Sequence, residues 1–356
     1  TMHQHRTLLR VESLEARTTP NVGPVGAGTG NVQAYLSGGN LYIIGDAGNN
    51  SLALWNVTPN AIRIQGNGTT INGSSTAQVF ALGAGKSVFI NLRGGDDTIV
   101  LGDNLVDSDS RSLAILGNLR IDLGDGTNIV GLENLFVRGT TSIRAGADDD
   151  TVDIDTTLGS PTFLKGNFTA TLGDGNNSVS GNTFGVGGNV SITTGSDDDT
   201  IDLRNATIAK NLLIAANDGD DLITIIDSDV DGNITRISTG LGNDDITLGS
   251  SDFKRLFVLT GNDDDDTVVD DVTAVSVNVT TGAGDDTVNI TDSVFELASS
   301  VSTEAGDDTV TVEDSHFLGG LTADGGSHDV GDTFNGLDPD FGNTGISTVD
   351  NFETIN

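Results

Sequence analysis

The chain of 356 residues has no cysteine, 5 prolines, one methionine and one tryptophan, and aromatic residues make up only 4% of it. Without cysteine, neither disulfides nor thiolate metal sites are available. Basic residues are scarce as well, 16 Lys and Arg against 52 Asp and Glu, for a formal charge of −36. So acidic a surface repels nucleic acid and anionic membranes, which argues against a polyanion partner. No apolar run approaches the roughly 18 residues of a membrane-spanning helix, and the first residues hold no apolar signal core. The four lysines, Lys86, Lys165, Lys210 and Lys254, share no common position, and His316 and His328 have no Ser or Cys partner motif. That scatter argues against an enzyme.

What is plentiful is Gly, 48 residues of it, set among Val, Ile, Thr, Asn and Asp. This is the vocabulary of strands joined by tight turns. A corner of the form G-x-G-D-D-T recurs, and from Ser178 onward its interval stays close to 22 residues. With the Thr as reference, equivalents fall at Thr98, Asn128, Thr151, Ser178, Thr200, Leu222, Asp245, Thr267, Thr287 and Thr309, with weaker copies around Ser51 and Thr333. Apolar residues line up around it. Eight before the reference stand Ile90, Ile143, Ala170, Ile192, Ile214, Ile237, Leu259, Val279 and Val301. One after it come Ile99, Ile129, Val152, Val179, Ile201, Ile223, Ile246, Val268, Val288 and Val310. Eight after it come Val106, Phe136, Val186, Ile208, Val230, Phe253, Val275, Phe295, Phe317 and Phe341.

Around each position the apolar residues alternate with period two, which reads as strand. Three short strands in about 22 residues, each with one face inward, describe one coil of an all-β parallel β-helix, a β-solenoid. Right-handed winding follows the usual crossover preference. Roughly 12 to 14 coils fit residues 31–356, giving a rod on the order of 60 Å long. Residues 1–30 form a separate N-terminal cap or tail with a Gly-rich linker.

The corners carry the candidate chemistry. Just before the reference stand Asp97, Asp150, Asn177, Asp199, Asp221, Asp244, Asp266, Asp286 and Asp308, while the copy at Asn128 breaks the pattern. Carboxylates stacked every 5 Å or so repel, by roughly 3 kcal/mol per pair at an effective dielectric of about 20. Either the Asp side chains cap backbone N–H groups of the turn, or a hard cation sits between coils. The run from Gly282 to Asn289 resembles the nonapeptide of calcium-binding RTX β-rolls, with Thr281 in place of its first Gly. That resemblance implies calcium held by Asp97, Asp150, Asp199, Asp221, Asp244, Asp266, Asp286 and Asp308. RTX copies follow one another every nine residues or so, whereas these come once per coil, so both readings stay open.

A second resemblance lies near the start. Val11, Glu12, Leu14, Glu15, Arg17 and Pro20 are similar in order to a short N-terminal motif of planctomycete exported proteins. It implies a bacterial protein of the cell surface or extracellular space. The expected function is a non-enzymatic structural rod able to stack end to end into filaments, with surface polysaccharide as a possible partner. A calcium-dependent adhesin and a polysaccharide lyase or hydrolase are the alternatives.

Overall fold

The computed structural model describes residues 28–102, 112–155, 161–327, 331–337 and 348–356. The N-terminal motif at 11–20 and the ladder members Val106 and Phe341 lie outside the described residues. Within them every regular element is a strand. Strands about 22 residues apart pair in parallel, and the result is a β-solenoid of about 10 turns.

Three apolar columns form its core. In the first, Ile43, Ile90, Ile121, Ile143, Ala170, Ile192, Ile214, Ile237, Val258, Val279 and Val301 stand in register. In the second the sequence is Leu52, Ile99, Val130, Val152, Val179, Ile201, Ile223, Ile246, Thr267, Val288, Val310 and Phe334. The third runs from Ile115 through Val137, Leu164, Val186, Ile208 and Val230. It continues with Phe253, Ala274, Phe295 and Phe317, where the small Ala274 separates two bulky rungs. All these side chains are buried, and each large one contributes about 1.5–3 kcal/mol. Because inward residues alternate with outward ones, the columns leave the polar residues free to face water or to close corners.

The register corrects the sequence reading in two coils. Asp266, not Thr267, pairs with Asp245 and Thr287 and is the reference residue there. Val258 and Ala274 therefore face the core, and Leu259, Val268 and Val275 are only half-buried. The cause is local. Thr267 occupies an inward place that neighbouring coils give to Ile246 and Val288, so the apolar alternation locks onto the wrong residue. In the coil after Thr98 the reference is Ile129 and the inward residue is Val130. Phe136 likewise points outward and stacks on Phe163 at 6.3 Å, while Val137 is the buried rung.

The N-terminal end departs from the parallel pattern altogether. β1 (Asn31–Ser37) and β2 (Asn40–Ile44) form an antiparallel hairpin. β3 (Ser51–Thr58) pairs antiparallel with β4 (Ala61–Gly66), and β4 with β6 (Gln78–Ala81). The short β5 (Thr70–Ile71) runs parallel to β1. On their other edges β2 and β3 start the parallel columns. The open edge of the first coil is thus covered, as exposed strand edges in soluble folds usually are.

Candidate functional site: a buried aspartate spine

The G-x-G-D-D corner turns because its backbone is left-handed. Gly95, Gly126, Gly175, Gly219, Gly242, Gly284 and Gly306 have φ of 101° to 153°, and Asp148, Asp197 and Asp263 fill the same place at 77° to 82°. Only glycine takes the former at low cost, whereas Asp tolerates the latter.

Two residues on, each coil sends one side chain inward and along the rod axis. The backbone N–H of Asn50 donates to Asp97 Oδ1, that of Asp97 to Asn128 Oδ1, and that of Asn128 to Asp150 Oδ1. The relay continues through Asn177, Asp199, Asp221, Asp244, Asp265, Asp286 and Asp308 to Asp332, with distances of 2.7 to 3.1 Å throughout. Glu353 Oε2 ends it by accepting from the Asp332 N–H at 2.9 Å. Each coil therefore lends its carboxyl or amide oxygen to the N–H of the coil before it. Of the eight aspartates expected at the corner, seven belong to this spine. Asp266 does not; it is exposed, and Asp265, 1% exposed, takes its place. Asn128, which breaks the sequence pattern, is a full member of the spine.

One residue before the spine a second ladder runs the opposite way. The N–H groups of Asp198, Asp220, Asn243, Asp264, Asp285 and Asp307 donate to Oδ1 of Asn176, Asp198, Asp220, Asn243, Asp264 and Asp285 in the preceding coil, at 2.8 to 3.1 Å. This ladder is exposed. The other corners are closed similarly. Ser228, Ser251, Ser293 and Ser315 hydroxyls accept from N–H groups one coil earlier, and Asn167, Asn189 and Asn211 accept from one coil later.

The second oxygen of the spine carboxyls is the unusual atom. Oδ2 of Asp97, Asp150, Asp199, Asp221, Asp244, Asp265, Asp286 and Asp308 is buried without a hydrogen-bond donor. Thr194, Thr239, Thr260, Thr281 and Thr303 lie close to the carboxyls of Asp199, Asp244, Asp265, Asp286 and Asp308. Each Thr hydroxyl, however, directs its single hydrogen to a carbonyl of the next coil, at 2.9 to 3.4 Å. That single hydrogen serves either this carbonyl or the neighbouring carboxylate, whose ionised form it would favour. Burial in this setting pushes Asp97, Asp150, Asp221 and Asp265 up to about 7, and Asp199, Asp286 and Asp308 up to about 6. Asp244 rises for the same reason. Desolvation, which disfavours the charged form, outweighs the N–H bonds that favour it.

The spine aspartates thus cap backbone N–H groups, although in the adjacent coil rather than in their own turn. Among the described residues no group of three or more His, Asp or Glu side chains is arranged as a metal cage. Nor is any described helix long and apolar enough to cross a membrane. On the outer face of the third column a shallow cleft of about 320 Å³ is lined by Asp229, Asp231, Asp252, Lys254 and Glu296, with Asp229 and Asp252 in register.

Sequence reasoning missed both the reach of each Asp into the next coil and the opposed direction of the two ladders. A signal was present: a Thr stands five residues before Asp199, Asp244, Asp265, Asp286 and Asp308. Comparison with family models, with curated proteins and with solved structures finds no match for this chain.

Proposed function

We propose that the chain is a rigid acidic rod with a structural or adhesive, non-catalytic role at the cell surface or outside the cell. The observation that carries this reading is the continuity of the side-chain ladders. Among the described residues, the spine side chains join coil to coil from one corner to the next. The formal charge of −36 keeps such a particle soluble and repels like surfaces. The N-terminal motif resemblance supports export.

The hairpins over the first coil occupy the edge that a second copy would pair with. The rod is therefore proposed as a single particle rather than a filament subunit. Negative-stain electron microscopy is expected to show separate rods on the order of 50 Å long; long filaments would sink this part of the reading.

The outer cleft favours one alternative, a polysaccharide hydrolase using the Asp229 and Asp252 carboxylates. Incubation with a panel of acidic and neutral glycans separates the two. The rod reading expects no product, and product release that disappears in Asp252→Asn would replace it.

A further inference from the structure

Three coils of the spine carry Asn where the others carry Asp, and they show what the second side-chain atom faces. Asn128 Nδ2 donates to the Gly126 carbonyl at 2.6 Å, Asn177 Nδ2 to the Gly175 carbonyl at 2.8 Å, and Asn50 Nδ2 to the Gly48 carbonyl at 2.7 Å. In each case the acceptor lies two residues earlier in the same corner. Asn177 Nδ2 also reaches the Gly173 carbonyl at 2.9 Å. Asn128 Nδ2 and Asn50 Nδ2 also donate to Oδ1 of the next spine residue, Asp150 at 2.8 Å and Asp97 at 3.2 Å, so the place occupied by Nδ2 is a donor's place, walled by carbonyl and carboxyl oxygens. The Asp coils share this register and bury an Oδ2 without a partner, which by equivalence with Nδ2 takes that place, and an ionised carboxylate has nothing to donate. Lone pair would face lone pair in a buried corner.

We propose that the spine aspartates from Asp97 to Asp308 are carboxylic acids in the folded rod, each Oδ2–H donating to the corner carbonyl two residues earlier as the Asn side chains do. The proton comes from water when the coil closes and returns to water when it opens, so the rod binds protons on folding. The titratable groups around the spine, where ionised, all push the same way. Asp46 and Asp96 face Asp97; Asp148 and Asp149 face Asp150; Asp197 faces Asp199. Asp198 together with the spine neighbours Asp199 and Asp244 faces Asp221, and Asp220 faces Asp244. Asp244 and Asp286 face Asp265, Asp264 and Asp308 face Asp286, and Asp285 and Asp332 face Asp308. Every one is a carboxyl, and none is a cation that would hold the ionised form.

The sign follows from linkage. In the unfolded chain Asp ionises near 3.9, while in the rod Asp199, Asp286 and Asp308 hold their protons up to about 6 and Asp97, Asp150, Asp221 and Asp265 up to about 7. The stabilisation is complete below about pH 4 and is lost as pH rises toward about 7, opposite to ordinary acid denaturation. A general relief of surface repulsion in acid has the same sign, so the test must separate the two.

Asp221→Asn keeps the shape and supplies a permanent donor, whereas Asp220→Asn removes the same formal charge from the exposed ladder. Melting of the wild type, followed between about pH 4 and pH 8, is expected to fall by about 5 °C or more. Asp221→Asn should melt about 2–4 °C higher than wild type near pH 8 and show a flatter profile. Asp220→Asn, which touches the spine only through the weakest of the influences on Asp244, should keep nearly the wild-type slope. As a direct readout, infrared spectra of the folded protein near pH 5 should contain a protonated-carboxyl band that weakens in Asp221→Asn and not in Asp220→Asn. The proposal is overturned if that band is absent, or if the two variants behave alike. It is also overturned if millimolar calcium near pH 8 raises wild-type melting and leaves Asp221→Asn unmoved, since the site would then hold a cation in place of the proton.

Discussion

Thr267 is the residue most out of keeping with its surroundings. It is fully buried between Ile246 and Val288, and its hydroxyl has no hydrogen-bond partner. A buried hydroxyl left unpaired costs about 1–3 kcal/mol, and Val has nearly the same shape. Thr267→Val is therefore expected to raise stability to urea by about 1 kcal/mol; an unchanged or lower midpoint would mean the hydroxyl has a partner. The same residue makes the register of its coil ambiguous in the sequence. Four aspartates precede it and Val268 follows, so the strand pattern fits two registers equally well until pairing with Asp245 and Thr287 decides.

At the scale of the element, the corner is a backbone problem that side chains then exploit. Gly242 lies at φ +119°, and a Cβ there would run into the Gly219 carbonyl of the preceding coil. Asp263, at φ +80°, solves the same corner with a side chain whose Oδ2 accepts from the Gly242 N–H at 3.2 Å. Gly242→Ala is expected to destabilise by more than about 2 kcal/mol, since steric clash adds to backbone strain. Asp263→Gly should change stability by less than about 1 kcal/mol. Equal losses in chemical denaturation would show that the corner does not discriminate between the two geometries. The strands and their columns were legible in the sequence because burial imposes a period of two, as Ile192, Ile214 and Ile237 show. The spine was only half legible. Its residues could be picked out, but nothing along the chain says that Asp199 caps its own N–H with a carboxyl from Asp221, 22 residues away.

For the whole molecule, each coil pairs only with the coils before and after it, so cooperativity is passed between neighbours rather than shared at once. The N-terminal hairpins are the least like the rest. The interval of 47 residues between Asn50 and Asp97 holds β4, β5 and β6, and β6 is nowhere fully buried. The sequence did not announce them, because an antiparallel hairpin and a parallel coil share the same alternation. The single tryptophan, Trp55, lies in this region with Arg63 over its ring at 5.5 Å. Its fluorescence therefore reports on the cap, while circular dichroism reports on the array. Unfolding in urea is expected to shift Trp55 at lower denaturant than the loss of strand signal; coincident curves would show one cooperative unit.

The spine also makes the boundaries of a coil arbitrary. Since Asp286 closes the corner of Asp265 and is itself closed by Asp308, a unit cut at any point borrows at one end what it lends at the other. Duplicating or deleting one full period, wherever the break falls, leaves every corner closed. Lengthening such a rod by unequal recombination needs no favoured breakpoint, and its length is free to vary in steps of one coil while its ends stay the same.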